Sequence, residues 1–301
     1  MVCAAIDIGS NTTRLLVAEP GEGRLTVSLE QRAYTRIKAA KQEDVIGDDK
    51  TAEVAEVVAT QVRLAEELGA ETIRIVATAA IRDASNGAKV AKKIQKAAGR
   101  PVEIISEQEE GRLAFIGATK TLGNPVDGRI VVVDVGGGSS EVVFGTVPDG
   151  VDWLKSFRIG SASLTEDHLS SDPPAPAEVR RLREAIEDVF DGVELPEADQ
   201  AVAVGGSSTS LRKIVGGVLE YETLERAVRV LCGDPAEDIA RRFELDPRRV
   251  RMLPSGVLVL EKLSELLGQP LQIGKGGLRE GIVLDQMAKG ENGDSPSALA
   301  A

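Results

Sequence analysis

Histidine is nearly absent from the chain, with His168 the one copy in 301 residues. That excludes a metal site built on several histidines. A Ser-His-Asp triad would have to use His168, and the sequence offers no nucleophile elbow beside it; the residue reads as a surface position on a helix. Any metal must then be held by oxygen ligands, which points to Mg²⁺, or Mn²⁺, rather than zinc. Cysteine is almost as scarce: Cys3 and Cys232 cannot form a disulfide framework, and both are expected as small buried residues in a reducing compartment. Aromatic residues make up 3%, too few for a base-stacking surface. Long hydrophobic runs are missing as well. Stretches such as Ile130 to Val133 fall far short of the roughly 20 apolar residues that span a bilayer. No basic region followed by an apolar stretch opens the sequence, so a cytoplasmic location without membrane attachment is expected. Positive charge is in deficit, 36 Lys and Arg against 48 Asp and Glu, for a net charge of −12. This argues against nucleic-acid binding, which rests on phosphate neutralisation. An anionic substrate would need a local site of backbone N–H groups, a few arginines and a metal.

What the sequence does have is an internal repeat. Ile6-Asp7-Ile8-Gly9-Ser10-Asn11-Thr12 and Val133-Asp134-Val135-Gly136-Gly137-Gly138-Ser139 share an apolar-Asp-apolar-Gly turn between predicted strands. Three meander strands open each half, and helix-strand alternation follows, which predicts mixed sheets in two α/β lobes. The predicted lobes cover residues 1–122 and 123–288, with a flexible tail at 289–301, and the paired turns are expected to face a cleft between them. Helices are predicted over 51–68, 85–98, 107–121 and 177–190. The stretch 224–267 reads as mostly helical, broken near Pro235, Pro247 and Pro254, and 278–287 as a last helix. Gly205 to Ser210 reads as a loop after a strand ending at Val204.

The turns have a chemical logic. A tight glycine turn lets successive N–H groups approach a phosphate, and Ser10, Thr12, Ser139 and Ser140 add hydroxyl donors. An Asp closing each strand suits hydrated Mg²⁺, which keeps several waters and takes one or two protein carboxylates. A single Asp-x-Gly turn occurs in ordinary hairpins; two at matching positions, with Gly205-Gly206-Ser207-Ser208, favour the functional reading.

This pattern resembles the superfamily of actin, sugar kinases and heat-shock chaperone ATPases, whose lobes are ribonuclease H-like. Four further segments narrow it: Ala77-Thr78-Ala79-Ala80-Ile81-Arg82-Asp83-Ala84, Ile105-Ser106-Glu107-Gln108-Glu109-Glu110-Gly111-Arg112-Leu113, the second turn continued through Ser140-Glu141, and Gly276-Gly277-Leu278-Arg279-Glu280-Gly281. With Asp7 to Thr12 they resemble the exopolyphosphatase / guanosine pentaphosphate phosphohydrolase (Ppx/GppA) family, in its short form without an HD-type domain. The resemblance spans nearly the whole chain. It implies an enzyme that releases terminal orthophosphate from inorganic polyphosphate, or converts guanosine pentaphosphate to tetraphosphate, with Mg²⁺ as cofactor and a homodimer as a plausible assembly.

Carried over residue by residue, the resemblance implies that Glu110 is the general base, with Glu109 the neighbour most easily confused with it. A solvated acidic helix start is the plainer account of that cluster. Asp134 and Glu141 are implied for catalysis and metal positioning, and Asp7 for the metal in the first lobe. Gly9, Ser10, Asn11, Thr12, Gly136, Gly137, Gly138 and Ser139 are implied as phosphate-binding. Arg82 would grip a phosphate, against the alternative of an ion pair with Asp83 or another acid, and Arg14 would reach phosphate or ribose. Lys275 and Arg279 are further candidates to hold the substrate. The chain departs from the family at Thr35 to Gln42, where an Arg-Leu-Gly-x-Gly segment has lost its glycines, and at Gly111, where alanine is usual. A non-enzymatic sensor of alarmone or polyphosphate, and an ATP-using enzyme of the superfamily, stand as alternatives.

Overall fold

The computed structural model describes residues 1–21, 24–37, 44–123 and 127–291. Lys38 to Gln42, the heart of the altered segment, lie outside the described residues. The chain divides into two compact units, Met1–Gly123 with Gly276–Ala301, and Asn124–Lys275.

Unit 1 opens with β1 (Cys3–Ile8), β2 (Thr13–Gly21) and β3 (Arg24–Ala33), followed by α1 (Asp48–Glu67), β4 (Thr72–Ala77), α2 (Ala79–Arg82), α3 (Gly87–Ala98), β5 (Val102–Ile104) and α4 (Glu107–Thr121). The sheet order is β3-β2-β1-β4-β5, with β1, β2 and β3 antiparallel and β4 and β5 parallel to β1. Because side chains alternate along a strand, β1 feeds two cores. Ala4, Ile6 and Ile8 pack with Val54, Val58, Val90 and Ile94 of α1 and α3. Cys3 and Ala5 join Leu113 of α4 on the other face, and the same alternation puts Asp7 on that face.

Unit 2 contains β6 (Ile130–Val135), β7 (Ser140–Thr146), β8 (Gly150–Phe157), α5 (Ser161–His168), α6 (Pro176–Phe190), β9 (Gln200–Val204), α7 (Gly205–Val215), β10 (Val218–Leu219), α8 (Tyr221–Gly233), α9 (Ala236–Phe243), α10 (Pro247–Val250), α11 (Leu253–Leu267) and β11 (Leu271–Ile273). Its sheet runs β10-β11-β9-β6-β7-β8. From the meander edge inward this repeats unit 1: a three-strand antiparallel meander, then parallel strands beyond its first member. The mixed sheets are those the repeat implied, and their order is the ribonuclease H-like one implied by the resemblance. The core of unit 2 gathers Val131, Val133 and Val135 of β6 with Phe144, Phe157, Phe190 and the apolar faces of α6, α8 and α11.

The last helix, α12 (Leu278–Glu291), packs in unit 1, not with the half that precedes it in sequence. Ile282, Val283 and Met287 complete the core around Cys3, Ala5 and Leu113. Order along the chain had assigned it to the second lobe; its apolar stripe fits the open face of the first sheet instead. One other expectation changes: Gly205 to Ser210 is the first turn and a half of α7, not a loop. The break expected near Pro254 lies just before it, between α10 and α11, and the proline sits in the first turn of α11, where its missing N–H costs no helical bond. No described helix is long and apolar enough to cross a membrane.

Candidate active site

The two glycine turns are built alike. In the first, the Gly9 N–H donates to Thr12 O at 3.1 Å; in the second, the Gly136 N–H donates to Ser139 O at 3.0 Å. A Cβ at either glycine would press on that carbonyl, at 3.3 and 3.0 Å. The carbonyls at each tip are taken by a neighbouring segment of the same unit. Ser10 O and Asn11 O accept from the N–H groups of Ile37 (2.7 Å) and Arg36 (3.0 Å). Gly136 O and Gly137 O accept from Ser161, Ala162 and Ser163 at the N-terminus of α5. Gly160, just before that helix, would place a Cβ 2.5 Å from Gly137 C and Gly138 N, so only glycine lets α5 approach. Sequence reading put His168 on a helix but drew no bounds for α5, a short helix with little amphipathic signal, and missed its hold on the turn.

The residues after each Asp differ between the units. Asp7 lies opposite Arg14 in the β1-β2 register, whereas Asp134 lies opposite Glu141 in the β6-β7 register. Arg14 Nε donates to Thr12 Oγ1 at 3.1 Å, holding the guanidinium beside the first turn. Asp7 Oδ1 is buried without a hydrogen-bond partner. Burial pushes the Asp7 carboxyl above its ordinary range, partly opposed by the charges of Arg14 and Arg279. Glu141 is 4% exposed and accepts from Ser156 Oγ at 2.9 Å. Asp134 Oδ1 lies against the start of α7: a Cβ at Gly205, whose φ is +86°, would come within 2.3 Å of it. That glycine lets β9 turn into the helix beside the carboxylate.

Several hydroxyls read as phosphate donors are engaged elsewhere. Ser140 Oγ donates to Ile159 O at 2.8 Å. In α7 the Ser208, Thr209 and Ser210 hydroxyls fold back onto Val204 O, Gly205 O and Gly206 O, and Ser207 Oγ is buried against Gly256. Short hydroxyl side chains in a helix compete for the carbonyl four residues back, a use that the Gly-Ser composition did not reveal. Lys275 is exposed, and Arg279 lies 3.7 Å from Glu280.

The adjacent glutamates at the start of α4 separate cleanly. Ser106 caps the helix, its Oγ accepting from the Glu109 N–H at 3.2 Å. Glu109 is bound to Arg112 at 2.8 and 3.0 Å and to Arg74 at 3.3 Å. Glu110 points elsewhere. It is 9% exposed and accepts from Arg82 Nη1 at 2.7 Å. Arg82 also donates to Ile105 O at 3.3 Å and lies 3.6 and 3.7 Å from Asp83 and Glu107. Burial works to lower the Arg82 pKa, but its bond to Glu110 and the surrounding acids carry it above the ordinary value. The arginine and the candidate base thus form one buried pair within unit 1, brought together by the short helix α2 after β4 and the first turn of α4.

Two ribonuclease H-like units, each with an Asp-x-Gly turn whose carbonyls are tied back, one of them carrying a largely buried Arg–Glu pair, define the fold class. The match is specific: the chain belongs to the Ppx/GppA phosphatase family, whose pattern covers residues 16–290, and as such is a phosphoanhydride hydrolase. It is 31% identical over 311 residues to exopolyphosphatase 2 of Mycobacterium tuberculosis, covering 95% of this chain and 97% of that one. It is 27% identical over 297 residues to the guanosine-5'-triphosphate,3'-diphosphate pyrophosphatase of Vibrio cholerae, covering 94% of this chain but 59% of that protein. Among solved structures, the Aquifex aeolicus member of the Ppx/GppA family superimposes with a TM-score of 0.80 at 31% identity, over 96% of this chain and 98% of that one.

Proposed function

We propose that this enzyme releases orthophosphate from the end of an inorganic polyphosphate chain, or from guanosine pentaphosphate, by attack of a water molecule that Glu110 deprotonates. The observation that carries this reading is the placement of Glu110. It is a nearly buried carboxylate at a helix start, gripped by an arginine, while its neighbour Glu109 is consumed in ion pairs. Partial desolvation suits a carboxylate to general-base work. Arg82, beside it, has the fork geometry to hold a phosphate. The two turns offer amides to anionic oxygens, since their carbonyls are turned into hydrogen bonds with Arg36, Ile37 and the start of α5. In the step, the water oxygen bonds to the terminal phosphorus as the bridging P–O bond breaks. The water proton passes to Glu110, and the shortened phosphate chain leaves with the bond's electron pair. Catalysis of this kind rests on positioning and on charge stabilisation.

Magnesium fits the donors present. Asp7 offers a buried oxygen without a partner, and Asp134 and Glu141 stand opposite each other on neighbouring strands. Among the described residues no group of three or more His, Cys, Asp or Glu gathers as a protein cage. We assign Asp7 in unit 1, and Asp134 with Glu141 in unit 2, as the magnesium donors of their own units, and manganese takes the same donors. When bound it would supply positive charge against the phosphate oxygens.

Both substrate readings draw on the relatives named above. The test is orthophosphate release with Mg²⁺, comparing short polyphosphate, long polyphosphate, guanosine pentaphosphate and ATP side by side. Release from one of the first three, stopped by chelator, is the expected result. Release from ATP alone would replace the reading with an ATP-using enzyme. Binding without release would make the protein a sensor.

A further inference from the structure

The segment Gly276-Gly277-Leu278-Arg279-Glu280-Gly281 was singled out in the sequence, yet the reaction above leaves its glycines unused. Their role is visible in unit 1. A Cβ at Gly117 of α4 would meet Gly277 O at 1.9 Å, and a Cβ at Gly281 of α12 would meet Leu113 O at 1.8 Å. The two helices cross with their backbones in contact and no room for a side chain between them. Further along α12, the Asp285 side chain is 9% exposed and receives Arg112 Nη2 at 2.9 Å, Arg74 Nη1 at 3.4 Å and Lys289 Nζ at 2.9 Å. Arg112 and Arg74 both also reach Glu109. The result is a closed ring of alternating charge, Asp285–Arg112–Glu109–Arg74, joining α12, α4 and β4.

This arrangement bears on the base. Glu110 follows Glu109, about 100° further round the helix, so its direction is set by the rotation of α4 about its own axis. A carboxylate about 5 Å from that axis sweeps nearly 2 Å when the helix turns by about 20°. A misplacement of about 1 Å can cost on the order of 10²-fold in rate. The glycine contact stops α4 from moving along or away from α12, but a contact between two cylinders resists rotation weakly. The ion ring supplies the missing restraint, because it grips the residue next to the base from two directions.

Resting on the assignment of Glu110 above, we propose that Asp285 is a positioning residue for that base, acting through Arg112, Arg74 and Glu109 to fix the rotation of α4. The test is a double-mutant cycle of Asp285→Asn with Glu110→Gln, read as kcat and KM for orthophosphate release from inorganic polyphosphate or guanosine pentaphosphate. Circular dichroism checks the fold of each variant. The expected result is a kcat roughly 10- to 100-fold lower for Asp285→Asn, KM within about twofold of the parent, and no further loss when Asp285→Asn is added to Glu110→Gln. An unchanged kcat, or the same fractional loss in both backgrounds, would overturn the proposal, since a general loosening of the fold lowers residual turnover too. Should Asp285→Asn fail to fold, Arg112→Gln, at a half-exposed position in the same ring, carries the same cycle. Full turnover by Glu110→Gln alone would strike at the base assignment and is seen independently of the cycle.

Discussion

At the scale of single residues, burial decides which of several acids can act. Glu109 and Glu110 are indistinguishable in sequence, because both stand in the first turn of one acidic helix. They separate through their partners: Glu109 pairs with Arg112 on its own helix and with Arg74, 35 residues away along the chain, whereas Glu110 pairs with Arg82, 28 residues away. The Asp of each turn was legible from its repeat; the isolation of Asp7 was not. Its pKa is raised by burial. The stability associated with this group is therefore full below the ordinary carboxylate value of about 3.9 and is lost as pH rises through the folded-state value. At neutral pH an ionised Asp7 costs the fold stability. Asp7→Asn is predicted to raise the melting temperature by a few degrees while lowering turnover, a trade common at functional positions. Thermal unfolding with and without Mg²⁺ checks it. Magnesium should stabilise the parent protein more than the variant, and a lower melting temperature without metal would contradict the assignment.

Secondary-structure elements show where pattern reading works and where it stops. The bounds of α4, predicted and found at 107–121, were readable from the acidic turn that opens it. The start of α7 was not, since Gly-Gly-Ser-Ser carries the composition of a loop. What makes it helical is the strand before it and the hydroxyls folding onto carbonyls four residues back. The left-handed backbone of Gly205, close against Asp134, completes the turn. The hold of α5 on the second turn likewise depends on a spatial approach that no local signal announces. Gly160→Ala tests it. The new methyl group, 2.5 Å from the Gly137–Gly138 backbone, must push α5 and the turn apart. Overpacking of this kind costs roughly 1–3 kcal/mol, so urea unfolding should show a loss of that size together with weaker phosphate release. Stability and activity equal to the parent would mean that the turn does not depend on α5.

For the molecule as a whole, the repeat was the decisive clue. Two apolar-Asp-apolar-Gly turns predicted two mixed sheets, each opened by a three-strand meander, and both sheets have that form, the second with one more strand, β10, at its far edge. The assignment of α12 by position along the chain did not hold, because a helix docks where an apolar face is open, and the face formed by Cys3, Ala5 and Leu113 lies in the first unit. The unit that begins the chain is thus also closed by its end, and the helix that closes it braces the helix carrying the candidate base. With a net charge of −12, the proposed binding of an anionic substrate rests on local amides, arginines and a metal rather than on the surface as a whole.

The central claim, that Glu110 activates water for phosphate release, is tested most directly by steady-state turnover of Glu110→Gln with Mg²⁺. The account predicts a folded protein that binds its substrate with KM close to that of the parent and releases orthophosphate roughly 10²–10⁴-fold more slowly. Turnover equal to the parent's would contradict it.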